Sequence, residues 1–122
     1  MISPYIYPGL KLDFEFDYIL EKCATVYGTT MDAILSKDRH REVTNARKLS
    51  AAIIRYKERH TLTYIADALK LCDHSMALYN IEGCLDLLET DNTYRRNAEK
   101  VLTGMGVDME RMMMVLRRFK NK

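Results

Sequence analysis

The sequence predicts an all-α fold built as one small helical domain. Three observations carry that prediction. Apolar residues recur at helical spacing along most of the chain, Ser, Thr and Asp stand where helix N-caps are needed, and only two Pro and five Gly punctuate 122 residues. The length suits a single domain with a real core. Hydrophobic residues make up 48% and charged residues 30%, which excludes a disordered chain.

The elements follow in order. "MISPYIYPGLKL" reads as an extended lead-in over residues 1–13, with Pro8-Gly9 as a turn and Tyr5 and Tyr7 packing down. A first helix is expected from about Phe14 to Tyr27, where Ile19, Cys23 and Val26 share a face and Gly28 supplies the stop. Thr30 caps a short helix through Leu35. The polar, basic "SKDRHR" leads into a long helix from about Glu42 to Arg59. Its apolar arc holds Val43, Ala46, Leu49, Ile53, Ile54 and Tyr56, and Arg47, Lys48, Arg55 and Arg59 fall on the opposite arc.

Thr61 caps the next helix, whose Leu62, Ile65, Ala66 and Leu69 form a buried stripe. Lys70-Leu71-Cys72 is a tight turn, and Asp73 caps a helix reaching Glu89 with Leu78, Ile81, Leu85 and Leu88 inward. Two helices joined so closely form a helix-turn-helix, although the second contains no Lys or Arg. Asp91 opens a further helix, closed by Gly104 or Gly106. Asp108 caps a last one, over 107–120, striped by Met109, Met112, Met113, Leu116 and Phe119. Such a stripe packs on the chain's own core or serves a protein partner; the first is the commoner use.

The net charge of +2 conceals a segregation. Residues 36–60 are net +5 and residues 91–122 net +4, whereas 1–35 and 61–90 are net −3 and −4. A segregated basic block indicates a phosphate-binding surface better than net charge does. No apolar run approaches the roughly 20 residues of a membrane span. The first residues lack the basic and apolar regions of a secretory leader. With three Cys and no CxxC pair, the chain reads as a cytoplasmic protein with reduced thiols.

No catalytic constellation is present. Cys72, Asp73 and His74 are adjacent and chelate metal poorly, and nothing accompanies a Cys–His pair as an oxyanion site. No cofactor is expected, and the chain is not expected to be an enzyme.

"AILSKDRHR", "VTNARKLSAAIIRY", "HTLTYIADAL" and "DHSMAL" occur in that order between Tyr27 and Leu78. This stretch resembles the C-terminal DNA-binding domain of the bacterial replication initiator DnaA: a helix end with its basic loop, a long helix, the first helix of the helix-turn-helix, and the start of the recognition helix. The resemblance implies that the long helix buttresses the helix-turn-helix, with residues 27–89 as the family-like core and the last helix an addition. It implies double-stranded DNA as the partner, in replication or its regulation. Lys37, Arg39, Arg41, Arg47 and Lys48 would meet phosphate or the minor groove, and Asp73, His74, Ser75 and Met76 would meet base edges.

The departures from the family pattern are local. Lys70, Leu71 and Cys72 stand where two glycines and an arginine are usual, Met76 replaces a threonine, and Asp38 replaces a basic residue. Altered or reduced site specificity is therefore expected. No GxxxxGK[ST] loop occurs, so ATP-driven origin opening is not expected of this chain. The alternative reading is a helical interaction module that kept the fold and lost the DNA. A contiguous basic face joining residues 36–48 to the Asp73 helix favours DNA; interrupting acids favour the alternative.

Overall fold

A computed structural model describes residues 8–58 and 60–119, with side chains from Phe16 to Lys57 and from His60 to Arg118. It contains seven helices and no strand among the described residues: α1 (Pro8–Tyr27), α2 (Met31–Ile34), α3 (Arg41–Glu58), α4 (Leu62–Ala68), α5 (His74–Thr90), α6 (Asn92–Gly104) and α7 (Met109–Phe119). The expected helices are all present. The first starts earlier than expected, because Pro8 stands at the first helical position, where its fixed φ suits the helix and its missing N–H is not needed. Residues 8–13 are thus helical rather than an extended lead-in. Tyr5 and Tyr7 lie outside the described residues, as does Arg59.

Caps set most of the boundaries. The side chains of Thr30, Thr61, Asp73 and Asp91 accept from the amides of Ala33, Tyr64, Met76 and Tyr94 respectively, and Asp108 accepts from the Glu110 amide. Gly28 and Gly106 take positive φ and let the chain turn off α1 and α6, with Thr29 N–H donating to Ala24 O and Val107 N–H to Leu102 O.

The long helix α3 is the axis of the domain. It packs against α1 and α5 most extensively and also touches α2, α4 and α7. Of the expected arc, Val43, Ala46, Leu49, Ile53 and Ile54 are buried and Tyr56 is half-buried, but Arg47, Ser50, Ala51 and Ala52 are buried as well. From Ala46 to Ile54 only Lys48 is more than slightly exposed. Ala and Ser on the second face let neighbouring helices approach closely, and Ser50 satisfies its buried hydroxyl on Ala46 O. One face was legible as apolar; the other is buried by helices that converge from several sides.

The buried face of α5 is Ala77, Asn80, Ile81, Cys84, Leu85 and Leu88, so Leu78, expected inward, is only half-buried. Met109, Met112, Met113 and Leu116 of α7 are buried in the chain's own core. They are therefore not available to a protein partner; the side chain of Phe119 lies outside the described residues. Tyr94 is buried, stacks on Tyr27 and donates to Asn45 O, tying α6 to α1 and α3. Cys23 and Cys84 are buried free thiols, each pushed up to about 12 by desolvation, which makes them inert packing groups.

Candidate nucleic-acid interface

The loop between α2 and α3, residues 35–40, is built by its own polar side chains. Ser36 hydroxyl donates to Ala33 O and accepts from the Asp38 amide. The Asp38 carboxylate accepts from the His40 amide at 2.9 Å and meets the His40 ring Nδ1 at 2.5 Å. Those two bonds to His40 hold the Asp38 carboxyl below its ordinary range, and the same carboxylate raises the His40 imidazole. The acid at this position is thus engaged by His40 within its own loop, as the residue that turns the chain.

Arg47 departs from the expected solvated arc. It is only 7% exposed. Its Nε donates to Ile34 O at 2.9 Å, and its Nη2 reaches Ala33 O, Ser36 O and Asp38 O at 3.3, 3.0 and 3.1 Å. Four carbonyls at the end of α2 and along the loop are gathered by one guanidinium. Desolvation lowers its pKa, with Asp38 opposing, but an arginine remains charged. The arrangement satisfies carbonyls that a four-residue helix leaves open.

The clamp leaves the loop's other cations outward. Lys37, Arg39 and Arg41 are exposed. Lys48 lies alongside α5, where a Cβ on Gly83 would meet its Cε at 3.0 Å. None of these four makes an ion pair among the described residues. In the second basic block, by contrast, Arg95 pairs with Glu110 at 2.7 Å and Arg117 pairs with Glu89. The latter also neutralises an acid late in α5.

The helix-turn-helix faces the same way. After α4 the chain turns through Lys70 at φ 59°, the only non-glycine residue with positive φ among the described residues. Lys70 N–H donates to Asp67 O and Leu71 N–H to Ala66 O, the paired bonds that close a helix through a left-handed residue. Leu71, next in line, packs its side chain back on the core. The backbone thus makes the turn with Lys70 in a glycine's conformation and Leu71 as the apolar plug. Asp73, His74, Ser75 and Met76 follow, all exposed. Asp73 spends one carboxylate oxygen on the Met76 amide.

A cleft of about 370 Å³ joins these parts. Its walls include Lys37, Arg39, Arg47, Lys48 and Lys70 from the loop, α3 and the turn, with Leu71, Cys72, Met76, Tyr79 and Asn80 from the turn and α5. No acidic residue among those described lines it. Of the residues expected to make the site, Lys37, Arg39, Arg47, Lys48 and Met76 come together here. Arg41, Asp73, His74 and Ser75 are exposed nearby in sequence but do not line the cleft. Lys70 and Tyr79 were missed by sequence reasoning. Lys70 was read as a departure from a glycine rather than as a cation, and the exposure of Tyr79 depends on which face of α5 is buried.

No solved structure matches the chain. The sequence profile of the bacterial DnaA protein helix-turn-helix matches residues 16–83, from the middle of α1 to the middle of α5. That span starts before the stretch from Tyr27 that carries the motifs and so includes part of α1, which packs on α3. The matched region is more than half of the chain and contains the basic loop, the clamped long helix and the helix-turn-helix; the chain belongs to the bacterial DnaA helix-turn-helix family.

Proposed function

We propose that the chain binds double-stranded DNA, in replication or its regulation, with altered or reduced site specificity relative to its family. The observation that carries this is the acid-free cleft joining the basic loop to the helix-turn-helix, with five basic residues on its walls. Lys37, Arg39, Arg41 and Lys48 supply affinity by meeting phosphate or the minor groove. Asp73, His74, Ser75 and Met76 meet base edges in the major groove, which a helix enters by its first turns. Arg47 contributes by shaping the loop, since most of its donors are already held by carbonyls.

The absence of Lys and Arg from α5 is compatible with this reading. The N-terminus of α5 presents amides and the positive end of a helix dipole, which favour a phosphate without a side-chain cation. Its acids, Glu82, Asp86 and Glu89, lie in the later turns. They favour an end-on approach in which only the first two turns reach the bases.

The test is binding of random-sequence duplex DNA across a salt series. Affinity should fall steeply with salt, and Lys37→Ala with Arg39→Ala should lower the logarithmic slope by about 2, since each phosphate contact contributes about 0.9. Absence of duplex binding at low salt would leave the interaction-module reading, in which the turn at Lys70-Leu71-Cys72 faces a protein.

A further inference from the structure

The far end of α3 has a cavity of its own. It measures about 510 Å³ and lies where Tyr56 and Lys57 meet the α6–α7 loop and α7. Lys57 from α3 and Arg111 from α7 both line it, with Tyr56, Met105, Val107 and Val115. Among the described residues neither cation makes an ion pair, and the Tyr56 hydroxyl has no hydrogen-bond partner. The acid among the described lining residues is Asp108. Its carboxylate accepts from the Glu110 and Arg111 amides at 3.0 and 3.4 Å, so the start of α7 offsets its charge.

This cavity is separate from the helix-turn-helix cleft. Lys48 and Lys57 stand nine residues apart on α3, about two and a half turns, and leave the helix on opposite sides. Along the axis they are roughly 14 Å apart. A duplex seated on the helix-turn-helix therefore leaves the Lys57 side open. Arg111 also lies outside residues 16–83, the span matched to the family.

The three unengaged groups differ in kind. A guanidinium offers two parallel donors, an ammonium offers a point charge, and a phenol offers one neutral donor. A phosphate group can take all three, whereas a carboxylate has only two oxygens to share among them. The cavity is larger than a phosphate ion needs, and Met105, Val107 and Val115 provide apolar surface for whatever carries the phosphate. We infer that Lys57, Arg111 and Tyr56 form a second phosphate site, which takes the terminal phosphate of a small organic molecule or a backbone phosphate of a second duplex. The site does not depend on DNA binding at the helix-turn-helix.

The test is a titration of the isotope-labelled chain with inorganic phosphate, against chloride at matched ionic strength, followed by amide NMR. The Gly106, Val107 and Arg111 amides should shift and saturate, independently of any shift at Lys70 and Leu71. Lys57→Gln with Arg111→Gln should weaken that saturation at least about tenfold, since each removes a charge-assisted bond. Both side chains are exposed, so the rest of the spectrum should be unchanged. The same pair of substitutions should leave affinity for one duplex, and its salt slope, as they were. The second arm mixes the chain with two differently labelled short duplexes. Energy transfer between them that the double substitution removes would identify the source as a second duplex; its absence, with phosphate still saturating, would identify a free phosphorylated molecule. Shifts that do not saturate, or that survive the double substitution, would overturn the site while leaving the helix-turn-helix reading untouched.

Discussion

At the scale of the residue, Arg47 shows how position in a fold changes what a charge does. On the helical wheel it belongs with the solvated cations; in the fold its guanidinium lies under the loop and binds carbonyls at four positions. Hydrogen bonds to a charged group contribute about 1.5–3 kcal/mol each, less where one nitrogen is shared. Arg47→Ala should therefore destabilise the domain by about 2–4 kcal/mol, read as a lowered denaturant midpoint, while changing the salt slope of DNA binding by less than one. A full unit of slope with unchanged stability would restore Arg47 as a phosphate contact. His40 makes a complementary prediction. In the native protein its imidazole should titrate above 6.5 by NMR, and Asp38→Asn should return it toward that value. The sign follows from both partners. Asp38's contribution is present above its ordinary 3.8 and disappears as acid protonates it through its lowered pKa. His40's contribution is present below 6.5 and disappears as pH rises through its raised pKa. The turn is accordingly best held between about 4 and 6.5. An unshifted His40 would show that the pair does not persist in solution.

At the scale of the element, the turn between α4 and α5 is where this chain departs from its family and yet keeps the geometry. A non-β-branched lysine at φ 59° is tolerated but strained. Lys70→Gly should raise stability by up to about 1 kcal/mol by relieving that strain, against the extra entropy glycine brings to the unfolded chain. A markedly lower melting temperature would show that the Lys70 side chain holds the turn by contacts of its own. The same substitution removes a cation from the cleft wall, so it should weaken binding to random duplex. The start of α5 carries the specificity prediction. His74→Ala with Ser75→Ala should reduce preference for a selected site by about 1–3 kcal/mol per lost base contact, with non-specific affinity nearly intact, as measured by competition against scrambled duplex. Equal loss on both duplexes would place these residues on phosphate. Since both side chains are exposed, the melting temperature should hardly move.

At the scale of the whole molecule, the charge blocks acquire different meanings. Two cations of the C-terminal block are occupied by Glu110 and Glu89, whereas Lys37, Arg39, Arg41 and Lys48 carry no ion pair among the described residues. Equal formal charge in two blocks therefore does not make two equal surfaces. No helix among the described residues is long and apolar enough to cross a membrane. The methionine stripe of α7 likewise resolves at this scale: a flexible apolar face was compatible with a partner or with the core, and α7 packs on α3.

The sequence by itself determined the helices, their caps and the location of the helix-turn-helix, because those depend on short-range chemistry. Thr30, Thr61, Asp73 and Asp91 bond amides three residues away, and apolar spacing reports one buried face of each helix. Family membership was legible for the same reason, since its motifs are contiguous. Only the tertiary structure decided which cations face solvent, where Leu78 and Tyr79 point, and that Lys70 joins the basic wall. Each of these depends on contacts between segments far apart in the chain. Arg47 is buried because the end of α2 folds back over α3, and Lys48 is drawn along α5 because Gly83 leaves room for it. A helical wheel records angle around one axis; the second and third neighbours of α3 are set by packing, and packing converted a polar arc into a clamp.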